Sequence, residues 1–186
     1  MKILLTVFVL LFSSSVVAED ISDFQSEGMS IGDSLLEYFS EEEIFNDFKV
    51  DQYYIPERNK YNRIFIFNKI FKNYEYISID VKINDSKYII HGITGMLDYS
   101  DSKNCFKKQK QIIKDFSSIL SERPHEYTIP SNYDETGQSK MYYAEWYLNE
   151  GSVQIICYDF AKHTNIKSGL DVSIRTTEFQ DWLNKD

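Results

Sequence analysis

Ile77, Ile79, Val81 and Ile83 alternate with Ser78, Asp80 and Lys82. A period of two over this length fits a strand with one apolar and one polar face, and it does not fit a helix. Asn84-Asp85-Ser86 supplies a turn, and Lys87 to Leu97 returns as the second arm of a hairpin. Gly92 and Gly95 inside that arm mark a bulge or a close backbone approach. Upstream, Ile64-Phe65-Ile66-Phe67 is a short strand apolar on both faces. Downstream, Met141 to Leu148 and Ser152 to Phe160 flank Asn149-Glu150-Gly151 as a second hairpin. In a last strand Leu170, Val172 and Ile174 alternate with Asp171, Ser173 and Arg175.

Between the two groups of strands the period becomes helical. Over Ser102 to Leu120, Cys105, Ile112, Phe116 and Ile119 share one side, and Lys103, Lys107, Lys110 and Lys114 recur on the opposite one. Nearer the N-terminus, Ser30 is placed to cap a helix carrying Leu35, Leu36 and Phe39, and Ser40-Glu41-Glu42-Glu43 is a capping box with its glutamates at the positive end of the helix dipole. Thr177 and Gln180 open a short terminal helix with Phe179, Trp182 and Leu183. Ser121 to Lys140, with Pro124, Pro130 and Gly137, reads as a long loop. The order is αβββ-αβββ plus a short C-terminal helix. Short connections favour antiparallel neighbours, so the expected fold class is α+β, a mainly antiparallel sheet with helices on one face.

Residues 1–18 have an early Lys2, an apolar run from Ile3 to Phe12 and small residues ahead of Ala18, the pattern of a cleavable signal peptide. The expected organisation is signal peptide 1–18, a loose lead-in 19–28 and one domain over 29–186, with no membrane-spanning segment after cleavage. An exported protein, periplasmic or secreted, meets an oxidising compartment. Cys105 and Cys157 are the only cysteines and are expected to form one disulfide stapling the long helix to a strand. For that to hold, Val153, Ile155 and Cys157 must point at the helix.

The charge balance narrows the partners. Twenty Lys and Arg against 29 Asp and Glu give a net charge of −9, which opposes sequence-independent binding to nucleic acid or anionic lipid. The lysine stripe of the long helix is the one basic surface, and reads first as a solvated face. His91, His125 and His163 lie far apart with no metal-ligand spacing, so no metal and no cofactor is expected. Gly28-Met29-Ser30-Ile31-Gly32 matches the G-x-S-x-G pattern, but no strand precedes Gly28 to build a nucleophile elbow.

The strongest candidate for function is aromatic: 14 Tyr, 13 Phe and 2 Trp in 186 residues. If Cys157 faces the core, Gln154, Ile156, Tyr158 and Phe160 share the other face, joined by Tyr143, Glu145 and Tyr147 of the neighbouring strand. Tyrosine supplies large, rigid, half-polar contact area, so Tyr143, Glu145, Tyr147, Ile156 and Tyr158 are the candidate binding residues. The competing reading is that another layer covers this side and makes both faces core.

The stretch Ile21 to Leu35, continuing to Ser40-Glu41-Glu42-Glu43-Ile44, and the ending Glu178-Phe179-Gln180-Asp181-Trp182-Leu183 resemble small exported proteins of marine alphaproteobacteria that have no assigned activity. Gly28-Met29-Ser30 opening a helix before a small sheet is also distantly similar to the outer-membrane assembly lipoproteins of the BamE type, without their lipid-anchored Cys and without the Gly-Pro that follows their helix. Neither resemblance implies catalytic residues. The expected function is a non-enzymatic binding domain recognising a protein or envelope component through the aromatic face. The alternative is a small exported hydrolase or lyase using His125 or His163 with a nearby carboxylate.

Overall fold

The computed structural model describes residues 20–46, 48–52, 60–67, 69, 71–120 and 122–185; the signal peptide expected at 1–18 lies outside them. A small hairpin of β1 (Gln25–Ser26) and β2 (Met29–Ser30) leads into helix α1 (Glu41–Asn46) and strands β3 (Lys49–Gln52), β4 (Tyr61–Ile66), β5 (Tyr76–Lys82) and β6 (Ile90–Tyr99). Helix α2 (Ser102–Phe116) crosses to β7 (His125–Pro130), β8 (Lys140–Leu148), β9 (Gly151–Asp159) and β10 (Ser168–Thr176), and α3 (Thr177–Asn184) ends the order. The strands β3 to β10 form one sheet in the order β3-β4-β5-β6-β10-β9-β8-β7, antiparallel throughout. The fold is therefore α+β, and each expected set of three strands is a four-strand meander joined to the other through its last strand.

One face of this sheet is apolar. Ile64, Ile79, Ile93, Val172, Ile155 and Ala144 run across the strands on it, and each is buried. Helix α2 lies on that face, held by the Cys105–Cys157 disulfide and by Gln109, whose Nε2 donates to the Tyr142 carbonyl at 2.7 Å. Ile44 of α1 joins the same core. The Ser40–Glu43 capping box forms as read, with Ser40 N–H donating to Glu43 Oε2 at 2.9 Å and Glu43 N–H donating to Ser40 Oγ at 3.2 Å. Both glycines of β6 are close approaches: a Cβ on Gly92 would sit 2.6 Å from Asp80 Oδ2, and one on Gly95 would enter the Tyr74 ring. The register shifts opposite Gly92, between Asp80 and Val81, as a bulge.

Five local readings change. Residues 20–28 are not loose: Asp20 caps a 3-10 turn, and Ile21 and Phe24 are buried in the core, Ile21 seated against Gly151. Two apolar residues in a polar decapeptide leave composition looking like a tail. Ser30 caps nothing; it lies in β2, and Ser34 caps a 3-10 turn over Leu35–Glu37. The stretch read as a loop contains β7, an edge strand with nearly every residue exposed, whose proline end suits an edge position. Helix α2 stops at Phe116, leaving Ile119 beyond it and 47% exposed, and Thr176 caps α3 in place of Thr177.

The disulfide ties residues 52 apart in sequence, and closing a loop of that length removes unfolded-state entropy worth about 4 kcal/mol in the chain model. Cys105→Ser with Cys157→Ser is expected to lower unfolding free energy by about 2–4 kcal/mol in urea titrations, with far-UV circular dichroism unchanged at zero urea.

Candidate functional site

The face opposite α2 carries the polar half of every alternation. Because the sheet is in continuous register, its residues line up in rows across the strands. One row runs Tyr76, Met96, Asp171, Ile156, Tyr143 and Tyr127, from β5 to β7. The next runs Ser78, Thr94, Ser173, Gln154, Glu145 and His125. Beyond it lie Arg63, Asp80, Gly92, Arg175, Ser152 and Tyr147. Helix α3 folds onto the outer part of this face, where Phe179 and Trp182 pack against Tyr61 at centroid distances of 4.8 and 5.0 Å. The short terminal helix thus covers part of the polar side, while α1 and α2 occupy the other.

The five candidate residues, Tyr143, Glu145, Tyr147, Ile156 and Tyr158, all fall on this one face. They differ in exposure: Tyr147 is 62% exposed, Tyr143 and Tyr158 are half-buried, and Ile156 and Glu145 are buried. Glu145 is a hub. Its Oε2 accepts from Tyr147 Oη at 2.7 Å and Tyr127 Oη at 3.4 Å, and its Oε1 from Gln180 Nε2 at 2.8 Å and Gln154 Nε2 at 3.2 Å. With four donors its lone pairs are engaged inside the protein, so it orients tyrosines and has no capacity left for a ligand.

The same chemistry recurs along the face. Tyr158 Oη donates to Asp171 Oδ2 at 2.8 Å, and Tyr76 Oη donates to Asp98 Oδ1 at 3.2 Å. Tying each hydroxyl to a carboxylate holds the ring at a set angle and leaves its apolar surface for contact. Tyr127 and Tyr143 stack at 4.7 Å with 6° between ring planes, and Tyr158 stacks on Phe160 at 5.9 Å. The neighbouring carboxylates and burial both disfavour the phenolates: the Glu145 hydrogen bond, with burial, pushes the Tyr147 hydroxyl up to about 12.

Several residues at the centre of this face were not singled out from sequence. Arg63 and Asp80 form a two-pronged pair, Nε to Oδ1 at 2.8 Å and Nη2 to Oδ2 at 3.2 Å, with the Asp80 side chain inaccessible to solvent. Arg175 Nη1 donates to Gln154 Oε1 at 3.0 Å, and Gln154 passes on its own donor to Glu145. Asp171 keeps part of its area open to solvent yet has sheet on every side. Burial pushes its carboxyl up to about 6, against the opposing effects of the Tyr158 hydrogen bond and of Arg63 and Arg175. Polar residues in alternation with core residues read as solvent-facing. The available signal was that Asp171 and Arg175 flank Ser173 on one side of a strand central enough to be apolar on the other.

The catalytic alternative finds one geometric element. His163 Nε2 lies 3.1 Å from Asp134 Oδ1, as a His and acid pair would. Asp134 is otherwise occupied as the anchor of the 131–139 turn, accepting from Thr136 and from both the N–H and hydroxyl of Ser139. Ser139 donates to Asp134, and its Oγ accepts from Ala161 N–H, so the histidine has no activated serine. His125 stands opposite Glu145 on β7, and His91 sits 3.9 Å from Glu178. Among the described residues no three His, Cys, Asp or Glu converge on a metal position, and no helix is long and apolar enough to cross a membrane. Lys103, Lys107, Lys110 and Lys114 are exposed on α2; Lys107 also borders a shallow hollow of about 260 Å³ with Tyr99, Asn104, Lys108 and Gln111.

No family model, no curated protein and no solved structure matches the chain.

Because folding raises the Asp171 carboxyl toward 6, its neutral form is the one the fold favours; that contribution is complete below the unfolded value near 4 and is lost as pH rises through about 6. Wild type is therefore expected to lose on the order of 2–3 kcal/mol relative to Asp171→Asn between about pH 4 and pH 7.5. Urea unfolding of both proteins across that range checks it. A difference independent of pH would place the Asp171 charge outside the folding equilibrium.

Proposed function

We propose that the protein is a non-enzymatic, exported binding domain that recognises a protein or envelope component through the sheet face carrying Tyr143, Tyr147 and Tyr158. One observation supports this above the others: four tyrosine hydroxyls on the face, those of Tyr76, Tyr127, Tyr147 and Tyr158, donate to carboxylates of the sheet, so the rings are held in place. Rings held this way lose little side-chain entropy when a partner covers them. Mechanistically, binding would bury aromatic area over a polar floor, with no bond made or broken. The disulfide fits an oxidising compartment, periplasmic or extracellular, and it anchors α2 away from the proposed contact surface.

The alternative, a hydrolase or lyase, has less to stand on. The His163 and Asp134 contact, in a loop, has its carboxylate engaged in holding the turn.

Tyr147→Ala and Tyr143→Ala are expected to reduce recovery of the partner from envelope extracts by about tenfold each, since interface tyrosines are worth roughly 1–2 kcal/mol or more. Lys110→Ala on the opposite face is expected to leave recovery unchanged. Equal recovery by all three variants and wild type would remove this face as the binding surface.

A further inference from the structure

We propose that β7 pairs edge to edge with β7 of a second copy of this chain, antiparallel about a two-fold axis at Tyr127. β7 ends the eight-stranded sheet, and every residue of it but Tyr127 is exposed. Ser131 N–H donates to the Ser139 carbonyl at 2.9 Å, one step past the ladder with β8, and this sets which residues face which way. Main-chain groups alternate along a strand, so those of His125, Tyr127 and Ile129 turn to β8, and those of Glu126, Thr128 and Pro130 turn outward. Among the described residues nothing bonds the outward N–H and carbonyl groups of Glu126 and Thr128. A row of this kind is a template for another strand.

The prolines name the occupant. Pro124 precedes the strand and Pro130 ends it, each three residues from Tyr127. Pairing about Tyr127 sets Glu126 opposite Thr128 of the second copy and Thr128 opposite its Glu126, so the four outward N–H groups meet four carbonyls. Each Pro130 then falls opposite Pro124, where neither residue has an N–H to place. A slip of two residues either way leaves a carbonyl of Glu126 or Thr128 facing a proline with nothing to donate. One of those slips also sets Glu126 directly against Glu126, a like-charge pair. The contact uses the same edge of both copies, so it closes at two.

The side chains fit the same axis. Tyr127 stacks on Tyr143 at 4.7 Å with 6° between ring planes. At the axis Tyr127 stands opposite its own copy in a non-hydrogen-bonded pair, where side chains come closest. The stack then runs through four rings, Tyr143 and Tyr127 of each copy, and the two tyrosine faces join into one surface. Ile129, 38% exposed in the single chain, falls opposite His125 of the second copy.

The test is sedimentation equilibrium of the disulfide-bonded protein from about 10 µM to about 500 µM, at about 0.15 M salt to screen the net charge of −9. A dimer with a Kd of about 10–100 µM is expected, as for a small interface. Thr128→Pro removes an N–H that the single copy does not use; it should raise the Kd at least about tenfold and leave far-UV circular dichroism unchanged. Amide exchange reads the same edge without a substitution. The Glu126 and Thr128 N–H groups should exchange about three- to fivefold slower at about 500 µM than at about 10 µM, while those of Tyr127 and Ile129, bonded to β8, should not change with concentration. Tyr127→Cys should give a covalent dimer under mild oxidation and Ile129→Cys should not, since only the axial pair brings the two sulfurs within reach. A wild type that stays monomeric to about 500 µM overturns the pairing and leaves the edge to an extended segment of another protein. Association that survives Thr128→Pro, or Glu126 and Thr128 exchange that is the same at both concentrations, puts the contact on another surface and overturns it too. Where Thr128→Pro does not fold, the wild-type amide exchange decides. None of these outcomes bears on partner recovery by the Tyr147 variant, so the pairing can fail while the binding surface stands.

Discussion

The pairing of β6 with β10 places everything on the polar face. Each strand ends a four-strand meander, and their antiparallel ladder from Ser168↔Tyr99 to Arg175↔Gly92 joins the two halves of the sheet. Side chains alternate strictly along a strand, so a slip of one residue in this seam would turn Leu170, Val172 and Ile174 to the polar side and Asp171, Ser173 and Arg175 into the core. The core therefore specifies the register, and the register in turn sets Thr94 against Ser173, whose hydroxyls lie 3.0 Å apart with both residues buried. The polar rows inherit their order from apolar packing on the far side.

That inheritance explains how a sheet can carry so many buried polar groups on one face. Asp80, Glu145, Ser78 and Ser173 are all buried, and leaving such groups unpaired costs about 1–3 kcal/mol each. Most are paired by short-range chemistry across adjacent strands: Arg63 with Asp80 between β4 and β5, Tyr158 with Asp171 between β9 and β10, and Gln154 with Glu145 between β8 and β9. Helix α3 contributes Gln180 to Glu145 and covers Tyr61 and Gly92 with Phe179. The salt bridges from Lys60 and Lys82 to Glu178, at 2.7 and 2.8 Å, are exposed and add little beyond orienting that helix.

Strands that are half-buried were legible, because burial on one side writes a period of two. β5, β8, β9 and β10 fall where alternation placed them, and the parity argument from Cys157 put all five aromatic-face candidates on one side. β7 was not legible because an edge strand exposed on both sides has no alternation to show, and Pro124 before it and Pro130 at its end read as loop. The packed lead-in escaped for a different reason: Ile21 and Phe24 are too few to form a pattern, and they pack against Gly151 and Phe116 respectively, both far away in sequence. Helix starts were harder still. Ser30 and Ser34 are both placed to cap, and only the pairing of β1 with β2 decides between them. The polar centre of the site follows the same logic. Arg63, Asp80, Asp171 and Arg175 look like solvent-facing residues one strand at a time, and become a cluster only when four strands are laid side by side.

A face of this kind trades stability for definition. Replacing a buried polar network with well-packed apolar side chains is often neutral or stabilising, so the network is not the reason the chain folds. The apolar face, with its continuous run of isoleucines and valines, and the disulfide behind it supply that. The stability held there permits the opposite face to keep charges in the middle of a sheet, among them a carboxyl whose titration burial raises and a guanidinium whose Nε–H has no acceptor. The two faces are linked through single strands, since Cys157 and Tyr158, or Val172 and Asp171, are neighbours pointing opposite ways. Tying β9 to α2 on one side therefore limits the freedom of Tyr158 and Gln154 on the other, and a surface held from behind loses less entropy on contact than one held by its own side chains alone.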